Sequence, residues 1–232
     1  MPEWESEDWA HSARRLIDWV NTQDSEQPIM LMLRHSHREV MHTHEAVMEQ
    51  GLTDLGRRMS IELGKRLPIN RKAQIFHSFI LRCYETAEDI SNGFTSEGGE
   101  VINIDPERTL MGPNTIDSEI WKELMPDGQN VTEFVNRWAE GEFENRLEPF
   151  EEFGRELIKN TVERLLSTED NSMQIHVTHD LSQMCTLRIL FDRPLVREDR
   201  EPFLGGIGIT RKNGKPILFV KGEVYPLDNY RL

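Results

Sequence analysis

Cysteine and positive charge are both scarce in this chain, and their scarcity excludes several classes of protein. Its 232 residues include two cysteines, Cys83 and Cys185, which are too few for the disulfide framework of a small secreted fold. Lysines and arginines number 27 against 41 aspartates and glutamates, so the formal net charge is -14. Because that charge repels polyanions, nucleic acids and anionic membrane surfaces are poor candidate partners.

Long hydrophobic runs are absent as well. Residues 1–21 lack the basic start and unbroken apolar stretch of a signal peptide, and no segment approaches the roughly 20 apolar residues of a membrane-spanning helix. The chain length suits one sizeable core. We therefore expect a cytoplasmic protein with a single domain over residues 1–232.

Short apolar runs alternate along the chain with amphipathic helical patterns. The apolar runs, which predict buried strands, are residues 28–33, 73–77, 100–104 and 172–178. The helical patterns cover residues 53–67, where Thr53 is the expected N-cap, and residues 82–90 and 181–190. This alternation predicts a mostly parallel sheet covered by helices, whose ligands bind beyond the carboxyl ends of the strands.

Three further segments complete the predicted architecture. A helix over about residues 3–22 carries three tryptophans and is expected to pack on the domain, with docking to a membrane or partner as the alternative. The acidic, aromatic stretch over about residues 111–167 predicts a helical cap insertion. Near the end, Lys212-Asn213-Gly214 is a hairpin signal between two apolar runs, so the sheet should acquire an antiparallel edge strand.

Arg34 and His35 directly follow the first predicted strand. Arginine presents a planar fork of donors that suits phosphate oxygens, and a neutral imidazole has one in-plane lone pair that can attack phosphorus. Alone, the two residues are equally typical of a surface loop. Three segments strengthen the case, in chain order: Leu52-Thr53-Asp54-Leu55-Gly56, Ser78-Phe79-Ile80-Leu81-Arg82-Cys83-Tyr84-Glu85-Thr86-Ala87 and Thr178-His179-Asp180.

Together these segments resemble the histidine phosphatase superfamily, also called the phosphoglycerate mutase-like superfamily. Its pattern is an Arg-His-Gly motif, a Leu-Thr-x-x-Gly helix, a Ser-x-x-x-Arg-x-x-x-Thr-Ala segment and a late histidine, and the resemblance spans about residues 29–190. It implies a three-layer α/β/α sandwich. It also implies a phosphohistidine on His35, with Arg34, Arg82 and a protonated or hydrogen-donating His179 around the phosphoryl group and with no metal or other cofactor.

The chain departs from the family pattern at two places. Ser36 stands where the motif has glycine, and its hydroxyl is a candidate phosphate donor. In the mutase-like branch, a glutamate beyond the third strand is the general acid, but here the stretch Thr109–Pro113 contains none. In the acid phosphatase branch the general acid is the aspartate of a His-Asp pair, which in this chain corresponds to Asp180. That branch also has a second arginine three residues after the nucleophilic histidine, the position that Arg38 occupies here. Asp180 is therefore the predicted general acid and base, with a helix N-cap role as the alternative.

Other interpretations of these residues stay open. Glu119, in the predicted cap, is an alternative proton donor. His37, His42 and His44 lie close to His35 and admit a rival metal-hydrolase site, although clearly placed carboxylates are missing. The function predicted is a metal-independent phosphomonoesterase acting on a small phosphorylated substrate. A phosphomutase with the same nucleophile and a noncatalytic phosphate-binding relative are the alternatives. The sequence does not indicate the substrate or the oligomeric state.

Overall fold

The computed structural model describes residues 3–41, 46–124, 126–168 and 171–227. The strands are β1 (Ile29–Arg34), β2 (Lys72–His77), β3 (Glu100–Pro106), β4 (Met173–Thr178), β5 (Gly206–Lys212), β6 (Lys215–Val220) and β7 (Glu223–Pro226). In the described part of the chain they form one 7-stranded sheet in the order β3-β2-β4-β1-β5-β6-β7.

The sheet has a parallel half and an antiparallel half. Strands β3, β2, β4 and β1 pair in parallel, as the alternation of strands and helices predicts. Strand β5 is antiparallel to β1, and β6 and β7 continue the antiparallel half, so this half is larger than the single edge strand expected. The β5–β6 hairpin turns at Asn213 and Gly214, which adopt positive φ angles of 54° and 75° and thereby explain the turn signal.

Helices cover both faces of the sheet. They are α1 (Glu3–Ser6), α2 (His11–Asn21), α3 (Ala46–Glu49), α4 (Asp54–Lys65), α5 (Leu81–Ser96), α6 (Val131–Ala139), α7 (Phe150–Ile158), α8 (Arg164–Leu166) and α9 (Asp180–Phe191). Short 3-10 turns occur at Asp8–Ala10, Arg108–Leu110, Ser118–Leu124 and Arg197–Asp199, and a π-helical turn, Lys159–Glu163, joins α7 to α8. The Thr53 side chain accepts a hydrogen bond from Gly56 N–H at 3.0 Å, which confirms the predicted N-cap of α4.

Two hydrophobic cores lie on opposite faces of the sheet, and strand β1 contributes to both. Its six residues are all buried, and successive side chains point to alternate faces. Met30 and Met32 pack with α6, α7 and α9, whereas Ile29, Leu31 and Leu33 pack with α2, α4 and α5. These two cores make the three-layer α/β/α sandwich that the resemblance implies.

The predicted cap and the N-terminal helical segment pack largely against these cores. In the predicted cap, Phe134, Trp138 and Phe153 are buried in the core with α9, and the 3-10 turn Ser118–Leu124 lies beside the cavity described below. At the N-terminus, Trp19 stacks on Phe219 with ring centroids 4.8 Å apart. Within the residues that the structure describes, no helix is long and apolar enough to cross a bilayer.

Candidate active site

His35 lies immediately beyond the carboxyl end of β1 and is only 2% exposed. Its Nδ1 lies 2.9 Å from the Ser36 carbonyl oxygen. Because a carbonyl only accepts, Nδ1 carries the proton and Nε2 keeps the lone pair. Burial first, and then the charges of Arg82 and Arg34 and the neighbouring His179, lower the pKa of His35 well below its ordinary value. The ring is therefore neutral, with Nε2 available as a nucleophile.

Three buried arginines surround this histidine: Arg34 and Arg82 flank it, and Arg38 lies on the following loop. Burial lowers the pKa of Arg82 to about 10, which leaves its guanidinium charged at neutral pH. Phe203 packs against Arg34, with the guanidinium carbon 4.5 Å from the ring centroid. Among the described residues, Nε of Arg34 and Nε of Arg38 have no hydrogen-bond acceptor although both atoms are buried. Buried, incompletely paired cations favour an anion between them.

His179 faces His35 across the site, with ring centroids 5.4 Å apart. Its Nδ1 lies 3.2 Å from Nη2 of Arg82, and its Nε2 lies 2.9 Å from Oγ of Ser78. Because a guanidinium only donates, Nδ1 accepts and Nε2–H donates to Ser78. Burial and the charge of Arg82 lower the pKa of His179 well below its usual range, so this ring is neutral. It therefore orients Arg82. We call Arg34, His35, Arg38, Arg82 and His179 the phosphate floor.

Asp180 lies beside the floor and is held by two arginines. Its Oδ2 is 2.5 Å from Nη2 of Arg200 and 3.3 Å from Nη2 of Arg34. Burial alone would raise the pKa of Asp180, but these two charges outweigh it and lower the pKa to about 2. The carboxylate is thus ionised in this structure. The N-cap of α9 is His179, Asp180 is the first residue of the helix, and its Oδ1 accepts a hydrogen bond from Leu181 N–H at 3.0 Å.

A second aspartate, which the sequence did not single out, also lines the cavity. Asp127 has a positive φ of 61° in the turn Pro126-Asp127-Gly128, and its Oδ1 lies 2.5 Å from Nη1 of Arg38. Its backbone oxygen accepts a hydrogen bond from Nη2 of Arg200 at 3.0 Å. In the sequence this stretch indicates only a turn. No sequence pattern pointed to Arg200 either, because it lies outside the motifs quoted in the sequence analysis.

Ser36 and Glu119 are not placed for the roles the sequence suggested. The Ser36 hydroxyl donates to the Gly56 carbonyl oxygen at 2.7 Å, and the residue is fully buried, so the hydroxyl braces the loop against α4 and does not face the cavity. Its φ is not positive, which is why serine is accepted where the motif has glycine. Glu119 is exposed, pairs with Lys122 on the surface of the cap segment, and does not line the cavity.

The histidines of the rival metal site are only partly described. His37 stacks on Trp9 with ring centroids 5.8 Å apart, and its Nδ1 lies 2.8 Å from Oγ1 of Thr53. His42 and His44 lie outside the described residues. Across the part of the chain that the structure covers, no group of three or more His, Cys, Asp or Glu side chains is arranged to hold a metal ion.

Solved structures similar to this one share its fold at low sequence identity. One is Bacillus stearothermophilus YhfR, with a TM-score of 0.58 and 19% identity, covering 87% of this chain and 100% of that one. Another is a phosphoserine phosphatase of Entamoeba histolytica in complex with phosphoserine (TM-score 0.57, 15% identity, 84% and 98% covered). A third is a phosphoglycerate mutase from Bacillus anthracis (TM-score 0.53, 13% identity, 87% and 96% covered). A comparison with curated proteins found no match.

The family model that matches the chain is that of the histidine phosphatase superfamily, branch 1, over residues 30–204. That stretch contains the whole phosphate floor. The matching model is that of branch 1, and the likeness to the acid phosphatase branch rests on Arg38 and Asp180. The fold, the ordered motifs and this match together show that the chain belongs to the histidine phosphatase superfamily.

Proposed function

We propose that the protein is a metal-independent phosphomonoesterase that forms a phosphohistidine on His35. The observation that carries the proposal is the neutral His35 ring, which keeps an unprotonated Nε2 and lies beside three buried arginines. A nucleophile for phosphoryl transfer needs a free lone pair, and the transferring group needs fixed positive charge around its oxygens. The phosphate floor provides both.

The proposed reaction has two displacements at phosphorus. In the first, Nε2 of His35 forms a bond to phosphorus as the ester P–O bond breaks, and the leaving oxygen takes a proton from Asp180. In the second, water attacks phosphorus and loses its proton to Asp180, the P–N bond breaks, and inorganic phosphate leaves. Arg34, Arg38 and Arg82 hold the phosphoryl oxygens through both steps. The Nδ1–H of His35, bonded to the Ser36 carbonyl, stabilises the positive charge of the phosphorylated ring.

Asp180 must gain a proton before it can act as the acid of the first step. Its ionised state depends on Arg34 and Arg200. A phosphoryl dianion that binds Arg34 diverts one of these partners and places negative charge beside the carboxylate, and both changes raise the pKa of Asp180. Substrate binding therefore favours the protonated, proton-donating form.

Product analysis with a histidine variant tests the proposal. Purified protein, treated with a chelator, is incubated with 4-nitrophenyl phosphate, and free phosphate is measured. We expect turnover without added metal and its loss, by about 10³-fold or more, in His35→Ala. His11→Ala is the matched control, because His11 is exposed and does not line the cavity. Unchanged turnover in His35→Ala, dependence on added metal, or an isomerised phosphate ester in place of free phosphate would each contradict the proposal.

A further inference from the structure

Besides the phosphate floor, the cavity is lined largely by apolar side chains. The cavity has a volume of about 250 Å³, and His35, Arg38, Arg82 and His179 of the floor line it together with Asp127 and Asp180. We call its apolar lining the apolar wall, which includes Met41, Met48, Met111, Trp121, Leu124 and Leu181. The volume lies slightly below the roughly 300–1,000 Å³ of pockets for drug-sized ligands, so a small ligand fits best.

Among the described residues that line the cavity, positive charge lies in the floor, and a further arginine nearby, Arg200, is already paired with Asp180 and with the Asp127 backbone oxygen. The cationic side chains of these described lining residues are Arg38 and Arg82, and both lie beside His35. Arg38 is also paired with Asp127. A second anionic group on the substrate, such as the carboxylate of a phosphoglycerate, would meet either Asp127, Asp180 or the apolar wall. Placing a charge against such neighbours carries a desolvation penalty without a compensating partner.

The apolar wall also leaves hydrophobic surface open at the cavity. Met48 is 55% exposed, and Trp121 and Leu124 are half-buried. Methionine is flexible and polarisable and adapts to differently shaped apolar groups, while the flat face of an indole packs on rings and chains. Covering this surface with an apolar group removes it from water, which favours binding.

We infer that the substrates are phosphate monoesters of uncharged alkyl or aryl alcohols, whose apolar group packs against the apolar wall. The inference rests on the proposed function, because the floor must hold the phosphoryl group for the ester group to reach the wall. It predicts selection by hydrophobic area and not by hydrogen bonds to a sugar or by a second charge.

A series of n-alkylphosphonates tests this without catalysis, since their P–C bond is not hydrolysed. Titration calorimetry on the intact chain should show Kd falling about two- to fourfold for each methylene from methyl to butyl. We expect 2-carboxyethylphosphonate, which is similar in size to the butyl compound, to bind at least about tenfold more weakly. Affinities that do not change along the series, or tighter binding of the carboxylate, would overturn the inference.

A substitution in the apolar wall tests whether the alkyl group of the ligand packs there. Met48→Gln keeps the side-chain length, and the exposed position avoids loss of fold. We expect the butyl-to-methyl affinity ratio to fall about twofold or more in this variant. The control is Ile116→Gln, which changes a 70% exposed residue of the cap segment that does not line the cavity, and whose ratio should match that of the native chain. An equal ratio in Met48→Gln and the native protein would overturn packing against this wall.

Turnover of the corresponding methyl to butyl phosphate esters distinguishes the proposed phosphatase function from the proposed apolar preference. Absence of turnover with every ester would contradict the proposed function, while the phosphonate affinities would still support or overturn the apolar preference. Turnover of the esters with phosphonate affinities that ignore chain length would overturn the apolar preference and leave the phosphatase intact.

Discussion

The phosphate floor and the apolar wall of the same cavity are held in different ways. Floor residues lie at the carboxyl ends of β1 and β4 and at the start of α5, are buried, and are tied by hydrogen bonds such as that from Arg82 to His179. Of the wall residues, Met48 lies on the short helix α3 and Trp121 on a 3-10 turn of the cap segment, and both are at least partly exposed. Under the proposed function, the buried sheet edge carries the chemistry and the more exposed segments around it carry the selectivity.

Removing one positive charge from the floor should lower the rate more than any substitution outside the floor. Arg82→Met keeps most of the side-chain volume but leaves the phosphoryl oxygens with one guanidinium fewer and His179 without its donor. We expect kcat/KM for 4-nitrophenyl phosphate to fall about 10²–10³-fold. Steady-state kinetics measure the loss, and thermal melting checks the fold. Arg193→Met is the control, because Arg193 pairs with Asp199 outside the cavity. A loss below tenfold would mean that the floor does not carry the chemistry.

The two cavity aspartates should differ in how their loss depends on the leaving group. Asp180→Asn removes the proposed proton donor, so we expect kcat for alkyl phosphates, which have poor leaving groups, to fall about 10²-fold or more. Activated aryl phosphates should lose less than about tenfold. Asp127→Asn acts through Arg38 and should lower both classes alike, which makes it the matched control. Equal losses in Asp180→Asn, or a leaving-group effect in Asp127→Asn, would contradict the assignment.

The pH profile gives a second test of Asp180. If the carboxyl group must be protonated in the substrate complex, kcat for alkyl phosphates falls as pH rises through the pKa that Asp180 has in that complex. His35 stays neutral over this pH range, because its pKa lies well below the ordinary value of a histidine. A kcat that is flat or rises on the alkaline side would exclude Asp180 as the acid.

The smallest effect is expected on the pH dependence of stability, at a histidine of β4 that lies outside the floor. His176 is fully buried, neither ring nitrogen has a partner among the described residues, and burial lowers its pKa to about 3. Between pH 6.5 and pH 3 the unfolded chain binds a proton there that the folded chain does not, so stability falls as pH drops through this window. At pH 5 this loss amounts to about 2 kcal/mol relative to pH 7.

His176→Phe should remove that loss while leaving the phosphate floor in place. Urea unfolding at pH 7 and pH 5 measures it: the free energy of unfolding of the variant should change less between the two pH values than that of the native chain, by about 2 kcal/mol. His11→Phe, at an exposed position, should retain the native pH dependence. Identical pH dependence in His176→Phe and the native chain would refute the account of this residue.

The sequence predicted the floor better than its surroundings, for physical reasons. Arg34, His35 and His179 adjoin strand ends, and parallel strands bring their carboxyl ends to one edge of a sheet. The Thr53 cap was predictable because capping is local. By contrast, Asp127 and Arg200 reach the site through loops whose path no local pattern encodes, and they decide the charge state of Asp180 and the pairing of Arg38.

The directions in which side chains point were the other feature that the sequence did not predict. A hydroxyl after His35 was compatible with phosphate binding, but the backbone turns it toward the Gly56 carbonyl. Glu119 lies in the expected cap segment, yet it points to solvent and pairs with Lys122. Both outcomes depend on tertiary packing and on the rotamer that the neighbours allow.

The most direct test of the account is to locate the phosphoryl group on the protein during turnover. The intact chain is mixed with excess 4-nitrophenyl phosphate, denatured in alkali within the first turnovers to preserve phosphohistidine, and mapped by peptide mass spectrometry. The account predicts one phosphoryl group on His35 in the native chain and none in His35→Ala. A phosphoryl group on another side chain, or full turnover with none on His35, would contradict it.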